Sequence, residues 1–257
     1  MGVKTASEIV EIAWGDHLET LRRCGGYYCC PKDEQGKRLG PLVGYAGKYV
    51  ASDGSEEQWV GDVYANFAMA EVYPHVLFHF AQQMATGRTL LMDSIDVFCG
   101  APLGGYSFAD KLGFAFNRRV IKAEKKVTAL ATANAREQST VIFGRHGVKP
   151  GDCVAIVEDV CNNFSTTDKL ISLIEKSGGH VVAIICLLNR SLAVDEHYTP
   201  VGASAAIPVA SLVRLPILEY RQDDPAVSDD VARGNVIWKP KDNWAPLMAA
   251  MEERRVS

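Results

Sequence analysis

Long apolar runs, each closed by a polar cluster, divide this chain into strand–loop–helix units. The clearest unit runs from Cys153 to Leu170, CVAIVEDVCNNFSTTDKL. Its first five residues, Cys153 to Val157, are continuously apolar and rich in β-branched side chains, the pattern of a strand covered on both faces of a parallel sheet. Glu158 and Asp159 follow, at the carboxyl end of the strand, where open α/β sheets hold their ligands. Asn162, Asn163, Ser165, Thr166 and Thr167 then form a polar loop. Ser165 and Asp168 stand at capping-box spacing before Leu170, Ile171, Leu173 and Ile174, which predicts a helix. A helix start with free N–H groups and neighbouring hydroxyls suits an anion, and phosphate is the usual one.

A second unit of the same kind spans Ser94 to Ala115. Ile95, Val97 and Cys99 alternate into Gly100-Ala101-Pro102-Leu103-Gly104-Gly105, and Phe108, Ala109, Leu112 and Phe116 continue at helical spacing. A glycine-rich turn between strand and helix exposes backbone N–H groups in a concavity suited to pyrophosphate. After a helix over 166–177, Gly178-Gly179 stops the chain and His180 to Leu188 reads as another buried strand. The resulting β-α-β crossover predicts parallel strands of right-handed connection.

The flanks are less regular. Residues 5–23 carry Ile9, Ile12, Ala13 and Leu18 near helical spacing and predict one or two amphipathic helices. Tyr27 to Cys30 is a short strand candidate, and 32–44 is turn-rich. Pro74 suits the first turn of a helix, PHVLFHFAQQMA, in which His75 and His79 share a face. No glutamate lies between them as in H-E-x-x-H and their neighbours are apolar, so packing histidines are expected. Ile207–Ala210 and Leu212–Leu218 predict edge strands, and residues 223–257 form a polar tail.

Composition narrows the class. A chain of 257 residues, 47% hydrophobic and 23% charged, suits one elaborated α/β domain or two small ones. A net charge of -4 argues against a general nucleic-acid or membrane-surface binder. No apolar run approaches the roughly 18 residues of a membrane helix, and the first residues lack the apolar core of a secretory signal. Seven scattered cysteines do not form a disulfide framework, which places the chain in a reducing cytoplasm. Cys99, Cys153 and Cys186 lie in strand-like runs as small buried residues. Cys24, Cys29 and Cys30 lack paired zinc-ligand spacing.

Glu158-Asp159-Val160, preceded by its apolar strand and followed by the hydroxyl-rich loop, resembles the signature of the type I phosphoribosyltransferases, in the Glu-Asp form common among orotate phosphoribosyltransferases. The loop departs from the family's Thr-Thr-Gly-Gly-Ser, having Asn162-Asn163-Phe164-Ser165-Thr166 without either glycine. The Gly100 to Gly105 turn resembles the family's pyrophosphate loop, one unit earlier, as expected. Lys122, Lys125 and Lys126 in RRVIKAEKK resemble its Arg-Lys-Glu-x-x-Lys segment, with Ala123 where a lysine is expected. Residues 127–140 resemble the loop that closes over substrate and often reaches a neighbouring subunit, and Arg136 is its one cation. Lys48, which reads from its surroundings alone as a solvated loop lysine, resembles the lysine of the family's Ser-Gly-Lys segment. The resemblance spans roughly residues 44–190.

The resemblance implies an α/β fold with a type I phosphoribosyltransferase-like core: a mostly parallel sheet flanked by helices, with a small cap, or hood, from the terminal regions. The expected organisation is 1–60 for N-terminal helices and part of the cap, 61–200 for the core, and 201–257 for edge strands and the rest of the cap. It implies transfer of 5-phosphoribosyl from phosphoribosyl pyrophosphate to a pyrimidine base, orotate first, with Mg²⁺ as cofactor and a homodimer as the assembly. The implied catalytic residues are Lys122, Lys126 and Asp159. Phosphoribosyl pyrophosphate would be bound by Glu158, Asp159, Asn162, Asn163, Phe164, Ser165, Thr166, Thr167, Ala101, Gly104, Lys125 and Arg136, the metal by Asp159, directly or through water, and the base by Lys48. Two other readings are a relative that binds a nucleotide or phosphoribosyl pyrophosphate with weak or no catalysis, and an unrelated doubly wound enzyme.

Overall fold

The structure is a computed structural model and describes residues 10–86, 88–129 and 138–256. In chain order it contains α1 (His17–Arg23), β1 (Tyr27–Cys29), β2 (Leu42–Val50), β3 (Glu56–Gly61), β4 (Val63–Ala65) and α2 (Ala68–Glu71). There follow α3 (Pro74–Ala85), α4 (Thr89–Asp93), β5 (Val97–Gly100), α5 (Gly105–Phe116), β6 (Arg119–Ala129) and β7 (Gln138–Phe143). The remainder is β8 (Cys153–Cys161), α6 (Ser165–Lys176), β9 (His180–Asn189), β10 (His197–Tyr198), β11 (Ile207–Arg214), α7 (Ser228–Ala232), β12 (Val236–Ile237) and α8 (Trp244–Val256). The chain divides into two compact units, Met1–Ala70 with Ile217–Ser257, and Glu71–Pro216.

The larger unit is built on a seven-stranded sheet of order β10-β11-β9-β8-β5-β6-β7. Its five inner strands run parallel, and β10 and β7 pair antiparallel at the two ends. The apolar runs explain this: every residue of β5 is buried, as are Val154 to Val157 of β8, and strands buried on both faces are the parallel ones. Alternation sends Val97 and Cys99 to one face, where Val154, Ile156 and the α6 residues Leu170, Ile171 and Ile174 form a core. Phe98 points to the other face, against Phe116 of α5 at a 6.2 Å ring separation. Helices therefore cover both faces of the sheet.

The smaller unit pairs distant parts of the sequence. Its sheet has the order β12-β2-β3, with β12 parallel to β2, and β1 pairs antiparallel with β4. Arg38 donates to the Asp62 carboxylate and lies 3.3 Å from Asp230.

Several expectations are corrected. Among the described residues, which begin at Val10 and so leave 5–9 outside them, the N-terminal helix covers His17–Arg23: Gly15, at φ 81°, turns the chain, and Asp16 caps the helix by accepting the Glu19 N–H at 2.8 Å. The two strands expected from 207 to 218 are one, β11, which ends at Arg214, and the two-residue β10 covers its outer side at 207–208 only. Only His79 is a packing histidine, since His75 is exposed. The segment 127–140 is not wholly a loop: β6 runs to Ala129 and β7 begins at Gln138. Arg136 lies outside the described residues.

Candidate functional site

Three neighbouring strand ends bring the sequence's candidate residues together. β5 lies between β6 and β8, with Gly100 opposite both Lys122 and Val157. The β5–α5 turn, the Glu158-Asp159 pair and Lys122 thus share the carboxyl edge of the sheet. Ala101 N–H donates to the Val157 carbonyl at 2.9 Å and fastens the turn to β8. Gly104 and Gly105 of the turn are fixed by proximity rather than by backbone freedom. Gly104 has an ordinary helical φ of -63°, but a Cβ there would run into the Asp159 carboxylate. A Cβ on Gly105 would strike the Val157 carbonyl oxygen.

The acids differ in environment. Glu158 is 8% exposed, and burial, with a smaller contribution from the Asp159 charge, pushes its pKa up to about 8. Desolvation disfavours the charged carboxylate. Asp159 is half-buried, and its Oδ1 accepts the Val160 N–H at 2.9 Å. Among the described residues no three His, Cys, Asp or Glu side chains converge on one point. The Asp159 carboxylate at this edge, with no such cluster of protein ligands among the described residues, suits a hard cation that takes most of its oxygens from substrate phosphates and water.

Beyond the acids, residues 162–167 wrap a cavity of about 90 Å³, lined by Glu158, Val160, Cys161, Asn162, Asn163, Phe164, Ser165, Thr166 and Thr167. Thr167 is buried, Thr166 half-buried and Ser165 exposed. The expected capping box is absent. Phe164 is the N-cap and no side chain caps the helix there. Ser165, being the first helical residue, has its N–H engaged by Asn163 Oδ1 at 3.2 Å. Asp168, the other half of the expected box, instead accepts the Tyr198 hydroxyl at 2.6 Å.

Phe164 occupies the place of the family's first glycine and has a left-handed backbone, φ 58° and ψ 14°. That conformation costs a side-chain-bearing residue about 1–2 kcal/mol. Its ring is 3% exposed, stacks on Tyr198 at 4.6 Å and 14°, and packs with Cys161, Ile184, Cys186 and Val209.

The basic strand is partly committed. Lys122 pairs with Asp110 at 2.8 Å and lies over the Tyr106 ring at 5.6 Å, while the Tyr106 hydroxyl donates to the Ala123 carbonyl. Strand alternation puts Lys122 and Lys126 on one face of β6 and Lys125 on the other. Lys125 and Lys126 are exposed, whereas Ala123 is fully buried against the α6 side, so a lysine there would point into the core. Lys48 lies in the other unit, on β2, exposed and 3.6 Å from Glu56. A larger cavity of about 390 Å³ opens beside β11, where its Arg214 is already paired with Asp195 at 2.8 Å.

Tyr106, Asp110 and Tyr198 were not singled out from the sequence. Tyr198 lies in a strand of two residues, too short for any periodic signal. Tyr106 and Asp110 follow the glycine turn at helical spacing, and that spacing was the available clue.

No family model matches the chain. Among curated proteins, the orotate phosphoribosyltransferase of Thermococcus kodakarensis is 24% identical over 179 residues, which are 70% of this chain and 88% of that protein. The adenine phosphoribosyltransferase of Ruminiclostridium cellulolyticum is 28% identical over 119 residues, 43% of this chain and 69% of that protein. That of Aeromonas salmonicida is 32% identical over 117 residues, 45% and 61% respectively. The crystal structure of adenine phosphoribosyltransferase from Thermoanaerobacter pseudethanolicus superposes with a TM-score of 0.49 at 15% identity, covering 77% of this chain and 99% of that one.

Proposed function

From the premise that this chain is a distant relative of the type I phosphoribosyltransferases, we propose that it transfers 5-phosphoribosyl from phosphoribosyl pyrophosphate to a pyrimidine base, orotate first, and releases pyrophosphate. The observation that carries the reading is the meeting of the acid pair, the glycine turn and the hydroxyl loop at one sheet edge. The preference for orotate rests on Glu158-Asp159 and on the length of the match to the Thermococcus kodakarensis enzyme; relatives that name adenine keep a purine as the competing base.

Breaking the bond from the sugar C1 to pyrophosphate builds positive charge on the ribose and negative charge on the leaving group, so the protein's task is positioning and charge stabilisation. Glu158 and Asp159 hold the ribose 2- and 3-hydroxyls. The loop from Asn162 to Thr167 holds the 5-phosphate with hydroxyls and the amides that open α6. Ala101 and Gly104 present the turn to pyrophosphate, and Lys122 and Lys126, sharing a strand face, stabilise its departing charge, with Lys125 and Arg136 assigned to the same anion. Mg²⁺ would supply positive charge to offset that of the leaving pyrophosphate, and Asp159 is the residue that would hold it, directly or through water. Lys48 is assigned to the base, and two copies of the chain to the working assembly.

Phe164 in the glycine place and Lys122 in its pair with Asp110 favour one other reading, a relative that binds phosphoribosyl pyrophosphate with weak turnover. Pyrophosphate release from phosphoribosyl pyrophosphate and Mg²⁺, measured with orotate, uracil, adenine, hypoxanthine and guanine in turn, separates the two. Release that depends on orotate is the expected result. Release with a purine alone would move the substrate, and binding without release for every base would favour the second reading.

A further inference from the structure

We infer that Phe164 and Tyr198 are positioning residues that hold the 5-phosphate loop in shape, taking over with an aromatic stack the work that glycine performs in the resembled signature. The inference rests on the functional reading above and goes beyond it to residues that the signature does not contain.

A left-handed residue that is not glycine persists only where its surroundings over-determine it. Around Phe164 a closed circuit does so. Its ring stacks nearly parallel on Tyr198 at 4.6 Å, within the apolar cluster of Cys161, Ile184, Cys186 and Val209. The Tyr198 hydroxyl donates to Asp168 Oδ1 at 2.6 Å, and the Asp168 N–H donates at 2.9 Å to the Phe164 carbonyl, where the circuit began. Ring, hydroxyl, carboxylate and backbone thus fix the residue in the middle of the loop to the first turn of α6 from its core side.

The circuit also has an electrostatic consequence. Asp168 stands in the first turn of α6, where a carboxylate would compete with a bound phosphate for the helix N-terminus. Its hydrogen bond to Tyr198 gives that carboxylate a partner within the fold. The loop is then free to offer its hydroxyls and remaining amides to an outside anion.

The test compares two ligands that share the site but not the loop. Ribose 5-phosphate and inorganic pyrophosphate, each with Mg²⁺, are titrated calorimetrically into the wild-type chain, Tyr198→Phe and Phe164→Leu. Tyr198→Phe keeps the stack and removes only the hydroxyl, and Phe164→Leu keeps an apolar anchor and removes the stack; thermal unfolding confirms that each is folded. The expected result is a Kd for ribose 5-phosphate raised roughly fivefold in Tyr198→Phe and roughly tenfold or more in Phe164→Leu, with the Kd for pyrophosphate within about twofold of wild type. In turnover the same variants raise KM for phosphoribosyl pyrophosphate more than they lower kcat. Wild-type affinity for ribose 5-phosphate in both variants overturns the inference, and so does an equal loss for both ligands, which marks a merely structural role. A wild-type chain that binds neither ligand overturns the functional reading itself, and the inference with it.

Discussion

Glu158 is an acid whose proton the fold holds more tightly than the unfolded chain does. In the unfolded chain a glutamate releases its proton near pH 4.5, but burial beside Asp159 raises the folded value to about 8. Between those values the folded state binds more protons than the unfolded one, so this group makes stability fall as pH rises. Glu158→Gln has the same shape and no charge to desolvate. Urea midpoints measured at pH 6 and pH 8.5 are expected to fall less in Glu158→Gln than in wild type; equal falls would mean that the buried acid does not titrate in this range. The same residue shows what a linear reading can and cannot deliver. An adjacent acid pair at the end of an apolar run was legible as a site, whereas the difference in burial that separates Glu158 from Asp159 depends on the turn laid over them from another strand.

At the scale of elements, the site is a junction between β5–α5 and β8–α6, and the constraint that reaches the acid pair is Gly104. Because a Cβ there meets the Asp159 carboxylate, Gly104→Ala must move the acid or the turn. It is expected to weaken phosphoribosyl pyrophosphate by about tenfold, the equivalent of roughly 1.4 kcal/mol, read as KM, while the fold remains intact by circular dichroism. Unchanged KM would show that the two loops are not in contact during binding. These elements were legible because short apolar runs rich in β-branched residues and bounded by turn residues match buried strands, and because Phe108, Ala109 and Leu112, or Leu170, Ile171 and Ile174, repeat at helical spacing. Elements held by partners far away in sequence were not. The capping box at Ser165 gave way because Phe164, drawn into the core by Tyr198, becomes the N-cap and moves the helix start by one residue. The two runs at 207–210 and 212–218 form one strand, β11, whose first residues pair with the two-residue β10, too short to leave a pattern of its own. The strand extension to Ala129 follows from pairing with β7, which no local pattern in 127–140 reveals.

At the scale of the molecule, the first unit is joined by charges from three distant segments. Arg38, 12% exposed, faces Asp62 and Asp230, 15% and 11% exposed. Burial alone would raise the Asp62 pKa, but hydrogen bonds from Arg38 and Lys32 outweigh it and hold the carboxyl below its usual value. Its contribution is therefore present at neutral pH and is lost as pH falls through that lowered value. Arg38→Ala would leave two poorly solvated carboxylates without their shared cation, at a cost of about 3 kcal/mol near pH 7. Denaturant unfolding is expected to show that difference and to show it shrinking below about pH 4, where carboxylates take up protons; a pH-independent difference would assign the loss to packing of the arginine stem.

The claim on which the rest depends is that the acid pair and the hydroxyl loop grip one sugar phosphate between them. Titration of phosphoribosyl pyrophosphate with Mg²⁺ into the wild-type chain and Asp159→Asn measures it most directly. Saturable binding by the wild type, weakened at least about tenfold in the variant, is the result this account requires. No binding by the wild type, or equal affinity in Asp159→Asn, would contradict it.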